Sequence, residues 1–187
     1  MPPNRTAGRR LAAARGLAAT ILLCGLAACN LFPDKRDKTC PKVEVIDDLS
    51  KLVQFADGPG RDLTDMLYAA RIEDVKTACA FDKSGVKVDM TVSIVGDRAQ
   101  AGAKLRLKGA DVTYFVAISD ATQAIITKKL FTSRLDFQDN KPARIDDVLD
   151  QRIPLPILSS AKDHTIIVGF QLTPEQINFN QKAAPGS

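Results

Sequence analysis

The sequence predicts a mainly β domain built as a two-sheet sandwich, and three observations carry that expectation. Val86, Val88, Met90, Val92 and Ile94 alternate with Lys87, Asp89, Thr91 and Ser93, which gives one apolar and one polar face. A period of two belongs to a half-buried strand. Several more short apolar, β-branched runs follow, each bounded by turn residues, and only one segment carries a sharp helix start. Many short strands with little helix favour two packed sheets over helical or alternating α/β architectures.

The elements follow in chain order. Residues 42–46 and 52–55 read as weak early strands. Leu63, Met66, Leu67 and Ala70 fit a helical face, whereas Tyr68, Ala70 and Ile72, then Val75, Thr77, Cys79 and Phe81, fit strands with a slip near Glu73-Asp74. The strand reading is preferred beyond Leu67, because it pairs with residues 86–95 across Asp82-Lys83-Ser84-Gly85, a loop of hairpin length ending in Gly. Residues 112–118 (VTYFVAI) form a more deeply buried strand, and residues 124–137 form one long strand or two with a bend. Ile145, Val148 and Leu149 suggest a short helical turn. Ile153-Pro154-Leu155-Pro156-Ile157 belongs at a sheet edge, since proline has no ladder donor. Residues 165–172 make the last strand, where Gly169 implies a bulge or a close backbone approach. Thr173-Pro174-Glu175-Gln176 starts a short helix, with Thr173 capping, Pro174 in the first turn and Gln176 reaching back. Ile177 and Phe179 are its apolar contacts.

The first 28 residues have a separate logic. Arg5, Arg9, Arg10 and Arg15 form a basic start without acids, and residues 17–28 (LAATILLCGLAA) form a short apolar core ending in small residues. That is the layout of an export signal, too short to span a bilayer comfortably. Leu26-Ala27-Ala28-Cys29 resembles the lipobox of bacterial lipoproteins. The resemblance implies cleavage before Cys29 and acylation of that residue, which anchors the chain in a membrane. Ordinary signal cleavage near Ala28, releasing a soluble product, is the alternative. Residues 29–39 then read as an acylated cysteine and a polar tether, and residues 40–187 as the sandwich domain. Asn30, rather than Asp, after the cysteine implies sorting to the outer membrane, facing the periplasm.

Cleavage changes the charge argument. The chain holds 26 Lys+Arg and 22 Asp+Glu, but four arginines lie in residues 1–28, so the mature balance is 22 against 22. No clustered basic excess supports nucleic-acid binding. Of the cysteines, Cys24 leaves with the leader and Cys29 takes lipid. Cys40 and Cys79 remain, and in an oxidising compartment they read as one disulfide, with two buried thiols as the alternative. The arrangement resembles an immunoglobulin-type antiparallel sandwich with a short C-terminal helix, although no Trp stands beside the disulfide. Residues 168–173 (VGFQLT) also resemble the closing strand of uncharacterised proteobacterial envelope lipoproteins.

Chemistry is sparse. His164 is the single histidine, in a loop before the last strand, so zinc and triad readings lack partners. Ser159 and Lys162 match S-x-x-K by spacing, without the accompanying motifs of that enzyme class. Asp57, Asp62 and Asp65, and Asp146, Asp147 and Asp150, lack calcium-loop spacing and fit turns and strand ends. The expectation is a non-enzymatic envelope lipoprotein without catalytic residues, metal or cofactor. It would be held by acyl chains on Cys29 and would bind an envelope protein through sheet edges or loops. The alternative is a carrier of a small apolar ligand or lipid, with a pocket between the sheets.

Overall fold

Period-two patterning becomes eight strands in the computed structural model, which describes residues 38–138, 141–154 and 161–183. The strands are β1 (Lys42–Val45), β2 (Lys51–Phe55), β3 (Met66–Asp82), β4 (Gly85–Arg98), β5 (Gly109–Ser119), β6 (Ile125–Asp136), β7 (Ala143–Pro154) and β8 (Thr165–Phe170). Two helices accompany them, α1 (Gln100–Lys104) and α2 (Pro174–Ala183). One sheet has the order β1-β8-β5-β6 and the other β2-β3-β4-β7. Among the described residues β1 and β8 pair in parallel, and the other strand pairings are antiparallel.

The alternating residues supply the core. Val86, Val88, Met90, Val92 and Ile94 of β4 are buried against Val112, Tyr114, Val116 and Ile118 of β5 and Ile166, Val168 and Phe170 of β8. Lys87 and Asp89 lie on the opposite face of β4 and are exposed. Burying these side chains from both sheets is the main force holding the layers together, at roughly 1.5–3 kcal/mol for each large apolar side chain.

The 63–81 ambiguity is settled locally. A 3-10 turn (Leu63–Asp65) leads into β3, whose register shifts between Ile72 and Asp74. Glu73 is the extra residue there. It turns an apolar phase of Tyr68, Ala70 and Ile72 into one of Val75, Cys79 and Phe81 without losing the inward face. The β3–β4 hairpin closes at Asp82 opposite Gly85, leaving Lys83-Ser84 as its tip. Ser84 donates to Asp82 from its amide (2.8 Å) and its hydroxyl (2.7 Å).

Two expectations are corrected or refined. The segment with Ile145, Val148 and Leu149 is not a helical turn. It lies within β7, paired with β4 along its length, with Ile145 and Leu149 half-buried and Val148 exposed. Pairing with the edge of a growing sheet outweighs the weak helical spacing of three apolar residues. The stretch 124–137 holds one strand rather than two, β6 (Ile125–Asp136). β7 ends at Pro154 on the sheet edge, as the proline spacing requires, and residues 155–160 lie outside the described residues. α1 has no counterpart in the sequence reading.

Gly169 shows close approach rather than a bulge. A methyl group there would lie 2.8 Å from Leu49 Cβ and 3.1 Å from the Phe115 ring. Its register with Phe115 is unbroken. Cys40 and Cys79 are joined by a disulfide, with Cα atoms 6.1 Å apart. It ties the start of the first sheet to the far end of β3 in the second.

Candidate interaction surface

Strand register gives the domain two poles. Lys42, Thr165, Ser119 and Ile125 are neighbours across the first sheet, and Gly85 and Pro154 are neighbours in the second. The Cys40–Cys79 link places these ends together, so the chain enters the domain at this pole. The opposite pole carries the connections after β2, after β4 and after β6, together with α1 and the start of α2.

A groove of about 710 Å³ opens at the far pole between the end of β2, the following loop and α2. The Phe55 and Phe179 rings meet edge to face there, with centroids 5.3 Å apart. Arg61 sits 5.5 Å from the Phe55 ring centroid, donates to the carbonyls of Gly58 (2.7 Å) and Gly60 (2.6 Å), and pairs with Glu175. The guanidinium holds the Glu175 carboxyl below its ordinary value. The groove's charged centre is therefore committed within the protein. At the same pole, Leu63 in the 3-10 turn before β3 and Leu105 at the end of α1 are 75% and 69% exposed. Two large aliphatic side chains so exposed on one pole suit contact with another molecule better than solvent.

α2 is held by side-chain bonds that also shield a sheet edge. Gln176 accepts from the Thr173 amide (2.9 Å) and Thr173 Oγ1 accepts from the Gln176 amide (3.3 Å), the reciprocal cap expected from the sequence. Gln176 Nε2 donates to the Val53 carbonyl (3.0 Å), and Asn180 Nδ2 donates to those of Asp48 and Lys51 (both 2.8 Å). Residues four apart on one helix face thus occupy acceptors along β2, an edge strand otherwise open to pairing. The outer face of the second sheet is guarded by charge. Arg144 bonds Glu73 and Asp146, Arg71 bonds Glu73, and Arg152 bonds Asp82 at 2.6 Å.

Among the described residues, Asp147 of β7 takes polar contacts from the first sheet across the space between the layers. The Tyr114 hydroxyl donates to Asp147 Oδ2 at 2.8 Å, and Ser133 donates to the same oxygen. Tyr114 is fully buried and stacked on Phe131 at 5.5 Å. Burial, then the bond to Asp147, drives its phenol well above the ordinary value.

The sequence-predicted residues fall as follows. Cys29 lies outside the described residues, as does Ser159. Lys162 sits in a 3-10 turn (Ala161–Asp163). His164 is half-buried rather than fully exposed, because its backbone joins two elements. Its amide donates to Ala161 and its carbonyl accepts from the Lys42 amide. Asp146 and Asp147 are adjacent in sequence but point to opposite faces of β7. Asp146 meets Ser93 (2.5 Å) outside and Asp147 meets Tyr114 inside. Asp62 and Asp65 close their own turn. Among the described residues no group of three or more His, Cys, Asp or Glu is placed to hold a metal, and no helix is long and apolar enough to cross a membrane. The Arg61–Glu175 pair and the Tyr114–Asp147 bond escaped sequence reading, because partners 114 and 33 residues apart leave no local signature.

No protein-family model matches the chain, and neither does any curated protein or solved structure.

Proposed function

We propose that this chain is a lipid-anchored lipoprotein of the bacterial envelope, acting as a non-enzymatic binding module. Acylation at Cys29 holds it on the membrane, most simply the outer membrane facing the periplasm. The far pole then contacts an envelope protein. The observation that carries this reading is the contrast between the poles. The chain enters at one, clamped by Cys40–Cys79, while the other carries the groove and the exposed Leu63 and Leu105. α2 and the ionic face leave fewer open edges elsewhere, which favours loop contact.

Site-specific photo-crosslinking in the native envelope tests it. A crosslinker at Leu105 or Leu63 should trap one discrete protein partner, and one at exposed Val148 on β7 should not. Equal, diffuse products from all three positions would contradict the assignment. The second reading, a carrier of a small apolar ligand, is favoured by the Phe55 and Phe179 rings in the groove and would place the ligand there rather than between the sheets. Lipid extracted from the purified protein in stoichiometric amount would support it.

A further inference from the structure

The entry pole has a chemistry of its own. The first residues of β6, Ile125 and Ile126, stand 54% and 51% exposed, an adjacent pair of large aliphatics at a strand start. Lys129 follows on the same edge strand and is exposed, whereas the Lys128 ammonium donates to Gln171 (2.9 Å) and lies over the Phe115 ring, 4.3 Å from its centroid. Lys83 at the tip of the β3–β4 hairpin and Lys162 in the turn before β8 belong to the same pole through the Cys40–Cys79 link and the strand register, whereas Lys42 at the start of β1 is paired with Glu44. Of the acids of this pole, Asp82 and Glu44 are paired with cations, and Asp120, bonded by uncharged groups, keeps its negative charge. Asp82 is bonded by Arg152 and Ser84, Glu44 by Lys42, and Asp120 by Thr122 and the Ala124 amide. Asp163 is the remaining one on these turns.

An apolar pair together with lysines on the end where the chain enters fits an anionic lipid surface. Shallow apolar insertion and Lys attraction to anionic headgroups act together, each over a few ångströms. The ten residues between Cys29 and Cys40 reach at most about 35 Å when extended, so an anchor at Cys29 leaves this pole within reach of the membrane. The reach permits contact without forcing it, so Ile125, Ile126 and the lysines must supply the attraction.

We propose that the pole formed by Ile125, Ile126, Lys129 and Lys83 rests on the anionic surface of the membrane that anchors the chain. The far pole, with Leu63 and Leu105, is thereby held outward. This rests on the anchor reading above and adds an orientation to it.

The chain contains no Trp, so a single introduced indole reports one position without background. Full-length protein, lipidated in a bacterial host, is reconstituted in phosphatidylethanolamine–phosphatidylglycerol vesicles as the Ile126→Trp or the Leu105→Trp variant. Both positions are exposed, so either substitution leaves the core intact. On vesicles the Ile126→Trp emission should shift to shorter wavelength and be quenched by lipids brominated along the acyl chain. The Leu105→Trp emission should do neither. Replacing phosphatidylglycerol by phosphatidylcholine, or adding Lys83→Gln with Lys129→Gln, should relieve the quenching. Backbone amide exchange over residues 125–129 should slow on the anionic vesicles, an independent reading that needs no substitution. Protein that floats with the vesicles while Ile126→Trp stays unquenched and the exchange is unchanged overturns the orientation alone. Quenching of Leu105→Trp instead means the poles are reversed. Protein that fails to float overturns the anchor, and this proposal with it.

Discussion

Tyr114 shows how one side chain joins two layers. Its ring belongs to the core of the first sheet, while its hydroxyl reaches Asp147 on the second. Tyr114→Phe removes the donor but keeps the ring. The loss should be about 1–2 kcal/mol at neutral pH, softened because Ser133 still serves Asp147. The same bond gives a pH dependence. With the folded phenol raised above its ordinary value of 10.0, the stabilisation is intact below that value and declines as the unfolded chain ionises above it. Denaturant unfolding at pH 7 and at pH above 10 should therefore show the difference between wild type and Tyr114→Phe shrinking in alkali. An unchanged difference would mean the hydroxyl contributes nothing specific. Gly102 is a second case, since a Cβ there would sit 2.1 Å from the Leu67 carbonyl oxygen. Gly102→Ala should push α1 off β3 at a cost of roughly 1–3 kcal/mol, read as a lower melting temperature.

Among the elements, α2 has a defined task beyond packing, which is to occupy the carbonyls of the β2 edge. Gln176→Ala removes both half of the cap and the bond to Val53. It should cost about 1–2 kcal/mol and speed amide exchange along β2, which a helix serving only as a loose cover would not do. The helix start was legible in the sequence because capping is local, with Thr173 and Gln176 three residues apart. The β3 slip at Glu73 was legible because a phase change in a period-two pattern is visible along the chain. β7 was not, since Ile145, Val148 and Leu149 carry a helical spacing and only β4 across the sheet fixes their extended form. For the candidate surface, the sequence offered loops and edges in general. It could not offer Arg61 against Glu175, nor bring Leu63 and Leu105 to one pole, because those are products of topology. The exposed pairs of the second sheet also set an acid limit. The carboxyls of Glu73, Asp82 and Asp146 are held below their ordinary values, Glu73 first by Arg144, Asp82 by Arg152 and Asp146 by Ser93. Their contribution is present above pH 4–5 and is lost as pH falls below it, though as surface interactions each is small.

For the whole molecule, the disulfide does two jobs. It closes a loop with a sequence separation of 39, which stabilises the fold by up to about 4 kcal/mol on the chain-entropy account. It also fixes which end of the sandwich faces the tether. Reduction, or Cys79→Ala, should lower the denaturant midpoint accordingly, and an unmoved midpoint would show that the core alone sustains the fold. The proposed orientation and the proposed partner contact at the far pole both rest on an anchor at Cys29. That claim is tested most directly by metabolic labelling with palmitate of cells producing the wild-type chain or Cys29→Ser. The account predicts label on the wild type and none on Cys29→Ser, which should also keep its leader. An unlabelled wild-type chain, or equal label on both, would contradict it.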